Sequence, residues 1–285
     1  MRLLVELREV FWRAFSLMSF VLKSRLGFTY PKDGRFLSVL REVGKEAMDK
    51  SIEDIRKELM QDHKQMEVLD LGAGLRGEIN RASIQEWRTV SQIVRRSACP
   101  PLQSVLLRAI VRYYELRNVL ELGTSLGIGT LSLAMGSDTV SVTTVEGAPA
   151  IQDIARSNVE KCGLEGNVTF RIGGFEGVLL DVLEGMKSLD LLYLDGHHLL
   201  EPTLKYYEMA KPYFSDFAIV VVDDIRWSSG MYSAWKILIE KEDILQVYDL
   251  YHCGIMVLDR SRDNLAPSSV IHLWPHPLLR WMTRS

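Results

Sequence analysis

Residues able to do acid–base or metal chemistry stand directly after apolar runs in the second half of this 285-residue chain: Glu146 after SVTTV, Asp195, His197 and His198 after LDLLYL, and Asp223-Asp224 after AIVVV. Runs such as LLYL and AIVVV are apolar on both faces, the pattern of central strands in a parallel sheet. As neighbours, LDLLYLD and AIVVVDD would lie ~4.8 Å apart. Their terminal carboxylates would then converge in the crevice where open α/β sheets bind ligands. Three carboxylates that close raise one another's pKa unless a cation sits between them. Oxygen donors without cysteine select Mg2+, Mn2+ or Ca2+ over zinc, so Asp195, Asp223 and Asp224 are candidate metal ligands. The plainer alternative is that Asp223-Asp224 only opens the next segment, with Ser228 or Ser229 capping the helix GMYSAWKILIEK.

The elements that must position these residues alternate. From 119 the chain reads NVLELG strand, TLSLAMG helix start, SVTTVEG strand, IQDIARSNVEKCG helix, then strands NVTFRIGG, LDLLYLDG and AIVVVDD with helical patterns between them. ILQVYDLYHCGIMVLDR is two strands joined by His252-Cys253-Gly254, too short for a helical crossover and therefore antiparallel. The expected fold class is α/β: a Rossmann-like, doubly wound seven-stranded sheet with a C-terminal antiparallel hairpin. Ahead of it, SIEDIRKELMQDHKQMEV, ASIQEWRTVSQIVRRSA and PLQSVLLRAIVRYYEL predict helices. The chain thus divides into residues 1–104, a mainly helical segment and possible substrate cap, and residues 105–285, a ligand-binding domain.

Two stretches compete for the glycine turn of that domain, VLDLGAGLRG at 68–77 and VLELGTSLGIGT at 119–130. A nucleotide-type turn needs a helix directly after it and a second strand ending in an acid that holds ribose hydroxyls. The second stretch satisfies this: Gly123, Gly127 and Gly129 form the turn, a helix follows, and Glu146 closes the next strand. Past Gly72 lies the basic SQIVRRSACP, with neither strand nor acid. The first stretch reads instead as a short strand or loop of the N-terminal segment.

Composition narrows the partners. With 47% hydrophobic and 25% charged residues and a net charge of −3, the chain shows no reason to bind nucleic acid. Cys99, Cys162 and Cys253 lack metal-ligand spacing and read as reduced thiols, which predicts a cytoplasmic location. MRLLVELREVFWRAFSLMSFVLKS is interrupted by Glu6, Arg8, Glu9 and Arg13. Its uncharged run from Ala14 to Leu22 falls short of the ~20 residues of a membrane span. An amphipathic helix packed on its own protein is expected, without stable membrane insertion.

Two ligands fit the turn. GTSLGIG matches the GxxxGxG of short-chain dehydrogenases, and Tyr207 with Lys211 supplies a YxxxK for an NAD(P) oxidoreductase; YxxxK alone is a weak pattern, in an ordinary amphipathic helix. The rest of the site points elsewhere. VLELGTSLGIGTLSLA, VTTVEG, RIGGFEGVL, LDLLYLDGHH and IVVVDDI, in this order over roughly 105–260, resemble class I S-adenosylmethionine-dependent methyltransferases. Within these they are similar to the cation-dependent O-methyltransferases of the catechol and macrolide-sugar types.

The resemblance implies a set of roles. Gly123, Thr124, Ser125 and Gly127 would line the methionine part of S-adenosylmethionine, with Asp195 at the same site. Glu146, with Gly147 beside it, would hold the ribose hydroxyls, and Gly174 and Phe175 would flank the adenine. Asp195, Asp223 and Asp224 fall on the metal positions, for Mg2+ or a similar cation. His198 falls on the general base, since a metal-bound hydroxyl has a depressed pKa that an imidazole can meet near neutrality. The implied activity is O-methylation of a small-molecule hydroxyl. A metal-independent N- or O-methyltransferase and a non-catalytic cofactor-binding scaffold are the alternatives. His197 either orients a loop or touches the cofactor. Trp227, Met231, Tyr232 and Trp235 form either a substrate wall or plain packing, and the tail IHLWPHPLLRWMTRS either covers the sheet edge or mediates a homodimer.

Overall fold

A computed structural model describes residues 17–21, 33–45, 48–70, 84–241, 243–261 and 270–273. The leading elements are helices α1 (Gly34–Gly44) and α2 (Lys50–Gln61), strands β1 (Gln65–Asp70) and β2 (Ile84–Thr89), and helices α3 (Val90–Ser97) and α4 (Pro101–Tyr114). The alternating part follows: β3 (Asn118–Leu122), α5 (Ile128–Ala134), β4 (Ser141–Glu146), α6 (Pro149–Lys161), β5 (Val168–Ile172), α7 (Phe175–Met186), β6 (Leu189–Leu194), α8 (Leu200–Ala210) and β7 (Phe214–Val222). Helix α9 (Ser229–Leu238), the antiparallel pair β8 (Ile244–Asp249) and β9 (Gly254–Asp259), and β10 (Val270–His272) complete it.

The main sheet runs β10-β8-β9-β7-β6-β3-β4-β5, with β9 alone antiparallel to its neighbours β7 and β8. It has the expected doubly wound order and hairpin, and one strand more than the seven expected: β10, from the tail, pairs in parallel with β8. The chain winds outward in opposite directions from β3 and β6. The carboxyl ends of this adjacent pair therefore mark the switch point.

Strand alternation divides the side chains. Val119, Tyr193 and Val221 share one core with Phe36, Ile52, Val90, Leu107 and Leu131 of α1 to α5. Leu120, Leu192 and Val220 share the other with Phe175, Tyr206 and Trp235 of α7 to α9. Each face of the sheet thus carries its own helical layer, as the unbroken apolar strands require. The leading helices α1 to α3 belong to the first of these cores. The expected boundary between residues 104 and 105 falls inside α4, because α4 packs with them on the same face.

The sequence pattern misled in two places: SIEDIRKELMQDHKQMEV predicted one helix, but the helix ends at Gln61 and QMEV opens strand β1. ASIQEWRTVSQIVRRSA predicted a single helix, but IQEWRT is strand β2 and pairs antiparallel with β1. The helix begins only after Thr89. Its hydroxyl accepts from the Gln92 amide at 3.2 Å while the Gln92 side chain accepts from the Thr89 amide at 3.0 Å, a reciprocal cap that sets the start of α3. Val68 to Asp70 of the first glycine stretch end β1 in this hairpin, and the glycines that follow lie outside the described residues. Of the N-terminal helix, residues 17–21 are described, and Phe20 is buried against the protein as expected.

Candidate active site

The glycine turn is built by close approach. Gly123 has φ +112°, and a Cβ there would lie 2.0 Å from the Asp195 carbonyl oxygen, so only glycine fits. Ser125 follows at φ +46°. Gly127 caps α5 at φ +85°, where a Cβ would lie 3.0 Å from that of Ala155. Two expected turn residues take other places. Thr124 is buried with its hydroxyl 2.6 Å from that of Thr144, so its side chain faces the core. Gly129 is inside α5, where a Cβ would stand 2.6 Å from Glu121 Oε1; its role is to make room for a buried acid.

Glu146 ends β4 at the lip of this turn. Its carboxylate accepts from the Ser125 amide at 2.9 Å and the Ala148 amide at 3.1 Å. Burial pushes its pKa up, against backbone donation from Ser125, Ala148 and Gly147. The result is an acceptor fixed in orientation, as a ribose diol would need. Beyond it Gly174 precedes α7, and a Cβ on it would meet nothing within 4 Å. The Phe175 ring stands edge-on to His197 and Tyr206, with centroids 5.4 and 5.5 Å away. Gly196 leaves room for that ring. These groups fit an adenine nucleoside: a fixed acid, open space and an aromatic edge.

The acids lie at the adjacent strand ends. Asp195 and Asp223 are tied by their amides to the carbonyls of Leu122 (3.0 Å) and Leu194 (2.9 Å), which sets both carboxylates at the switch point. Burial, then the charges of Asp223 and Asp224, pushes the Asp195 carboxyl well up; burial and Asp224 push Asp223 up to about 6. His198 Nε2 stands 3.9 Å from both Asp195 Oδ1 and Asp224 Oδ2. His197, His198 and Asp224 adopt φ of +63°, +27° and +52°, a cluster of unfavourable backbone at the crevice. His197 turns its Nδ1 to the Tyr206 hydroxyl.

Among the described residues no three His, Cys, Asp or Glu side chains are gathered closely enough to hold an ion. The donor chemistry does fit a hard divalent cation: three carboxylates, two of them pushed up first by burial and then by the Asp224 charge, with Asp223 adding to the shift of Asp195.

Sequence reasoning missed Glu121, Gln103 and Tyr193, all buried on the same face. Tyr193 and Glu121 are register partners on β6 and β3, and strand alternation from Asp195 finds Tyr193. Gln103 comes from α4 and carries no local signal. The oxidoreductase pair is placed elsewhere. Tyr207 is buried beside Phe214 at the amino end of β7, the end of the sheet opposite Asp223, and Lys211 starts a one-turn 3-10 helix there. Met231 and Trp235 are core, while Trp227 and Tyr232 are partly buried at its edge, so packing explains this group.

Residues 120–225 match the family model described as a methyltransferase domain. A catechol O-methyltransferase of Niastella koreensis is 25% identical over 127 residues, 44% of this chain and 57% of that protein. The chain thus spans less than two thirds of that curated relative. Among solved structures, an O-methyltransferase from Bacillus cereus in complex with SAH superposes with TM-score 0.55 at 20% identity, over 75% of this chain and 92% of that one. An SAH-bound methyltransferase from Podospora anserina gives 0.56 at 12% identity, over 81% and 97%. These likenesses establish the class I methyltransferase fold.

Proposed function

We propose that this chain, whose residues 120–225 carry a class I methyltransferase domain, transfers the methyl group of S-adenosylmethionine to a small-molecule hydroxyl with the help of a divalent cation. The observation that carries the reading is the pairing of two half-sites across one switch point. On one side Glu146 is held by the Ser125 and Ala148 amides; on the other His198 stands between Asp195 and Asp224.

Glu146 accepts from the ribose hydroxyls, the backbone of Gly123 and Ser125 borders the methionine, and Gly174 and Phe175 flank the adenine. S-adenosylmethionine supplies an electrophilic methyl on a sulfonium. A cation held by Asp195, Asp223 and Asp224 supplies Lewis acidity that depresses the acceptor pKa. His198 Nε2 takes the acceptor's proton, and the two flanking carboxylates favour the imidazolium that results. Fixing both reactants contributes on the order of 7 kcal/mol to lowering the barrier of such a displacement. His198 standing between two acids favours one second reading, the same base acting without a cation.

The test is methyl transfer to a panel of catechols and other hydroxyl compounds, with and without a chelator. His198→Gln is expected to lower kcat by about 10²–10⁴-fold. Loss with chelator supports the cation, and retention supports the second reading. Full activity of His198→Gln contradicts both.

A further inference from the structure

Gln103 and Tyr193 are 4% and 0% exposed and lie directly against the buried Asp223 and the partly buried Asp195. Gln103 Nε2 is 2.7 Å from Asp223 Oδ2 and 2.8 Å from the Tyr193 hydroxyl. That hydroxyl is 2.9 Å from Asp195 Oδ2 and 3.1 Å from Asp223 Oδ2. A carboxamide has two hydrogens and a phenol one, so the protons can be counted. Gln103 gives one hydrogen to Asp223 and the other to the tyrosine oxygen, which leaves Tyr193 to donate to Asp195, its nearer carboxylate. Asp223 Oδ1 takes a third kind of donor, the Asp224 amide at 2.8 Å. Every hydrogen finds an acceptor: the network holds Oδ2 of both acids, and among the described residues Asp223 Oδ1 takes only the neighbouring Asp224 amide.

We propose that Gln103 and Tyr193 are positioning residues that hold Oδ2 of Asp195 and Asp223 and so set the rotation and spacing of the two carboxylates, turning their Oδ1 atoms toward a divalent cation. This rests on the cation-assisted reading above. Outer groups that orient metal-binding carboxylates typically change affinity by 10–100-fold when removed. The assignment also gives α4 a part in the chemistry, since Gln103 lies before the matched methyltransferase segment at 120–225. A glutamate at 103 would have the same shape but put an acceptor against Asp223. Donor direction, rather than volume, should therefore decide the outcome.

The experiment is calorimetric titration of Mn2+ into the full chain holding S-adenosylhomocysteine, for wild type, Tyr193→Phe, Gln103→Met and Gln103→Glu. The two donor-deleting variants should bind Mn2+ about 10–100-fold more weakly, and Gln103→Glu more weakly still. S-adenosylhomocysteine affinity and the KM for S-adenosylmethionine should hold while kcat falls. If Tyr193→Phe fails to fold, seen as loss of S-adenosylhomocysteine binding, Gln103→Met and Gln103→Glu decide alone. Wild-type Mn2+ affinity in the Gln103 variants, with binding abolished in Asp195→Ala, overturns the positioning role and leaves the cation site standing. Absence of Mn2+ binding by the wild type overturns the cation reading itself, and the positioning role with it.

Discussion

Glu121 shows how much of the site is set by single side chains. Its Oε2 accepts from the Thr130 and Thr144 hydroxyls, while Oε1 is buried without a hydrogen-bond partner among the described residues. Burial, with Glu146 adding to it, pushes its pKa up to about 7. The folded state therefore holds the proton more tightly than the unfolded chain, whose glutamate titrates near ~4.3. The sign follows: Glu121 costs least below that value, and stability declines as pH rises to about 7, by roughly 3 kcal/mol in full. Glu121→Gln removes this decline. Its melting temperature relative to wild type should be higher at pH 8 than at pH 5, and an equal difference at both would show that Glu121 does not titrate in this range. Gly129 belongs to the same site by volume. Gly129→Ala drives a methyl to 2.6 Å from Glu121 Oε1 and should destabilise by about 1–3 kcal/mol in urea unfolding; an unchanged midpoint would mean that the carboxylate moves freely.

At the scale of elements, the acid turn after β7 is held by Arg226. Its guanidinium makes a bidentate pair with Asp249 at the end of β8, at 2.7 and 2.6 Å, and also bonds the Tyr251 carbonyl at 2.9 Å. The rings of Phe20, Tyr232 and Tyr251 stand 5.0 to 5.1 Å from it, and His272 of β10 faces Asp249 at 3.2 Å. Against burial, His272 and Arg226 hold the Asp249 carboxyl at about 2. The N-terminal helix, the β8–β9 turn and the tail strand thus converge beside Asp223-Asp224. Arg226→Met leaves the buried Asp249 without its guanidinium partner, with His272 still facing it, and should cost about 3–5 kcal/mol, read by thermal unfolding. A loss below about 1 kcal/mol, the range of an exposed pair, would contradict this. The alternating strands and helices, Glu146, and the acids and His198 at the strand ends were legible in the sequence, because buried strands leave long apolar runs and the acids interrupt them. Strand β2 was hidden by a polar sequence that fits either period. Strand β10 was hidden by its length of three residues. The Arg226–Asp249 pair and the Gln103 contact join residues far apart in sequence, and no local pattern encodes such pairings.

Over the whole molecule, the doubly wound sheet brings two chemistries to one line, the carboxyl ends of β4, β3, β6 and β7. In the proposed reading Glu146 and the turn after β3 would serve a nucleoside, and Asp195, His198 and Asp223-Asp224 an acceptor and its proton. Tyr207 and Lys211 lie at the other end of the sheet, and no described helix is long and apolar enough to cross a membrane. The central claim is that the turn and Glu146 bind the S-adenosyl group. Its most direct test is calorimetric titration of the full chain with S-adenosylhomocysteine, alongside NADH and NADPH, in wild type and Glu146→Ala. The account predicts saturable binding of S-adenosylhomocysteine alone, weakened at least about tenfold by loss of the two ribose contacts, a change of about 1.4 kcal/mol or more. Binding of a nicotinamide dinucleotide in its place, or S-adenosylhomocysteine affinity untouched by Glu146→Ala, would contradict it.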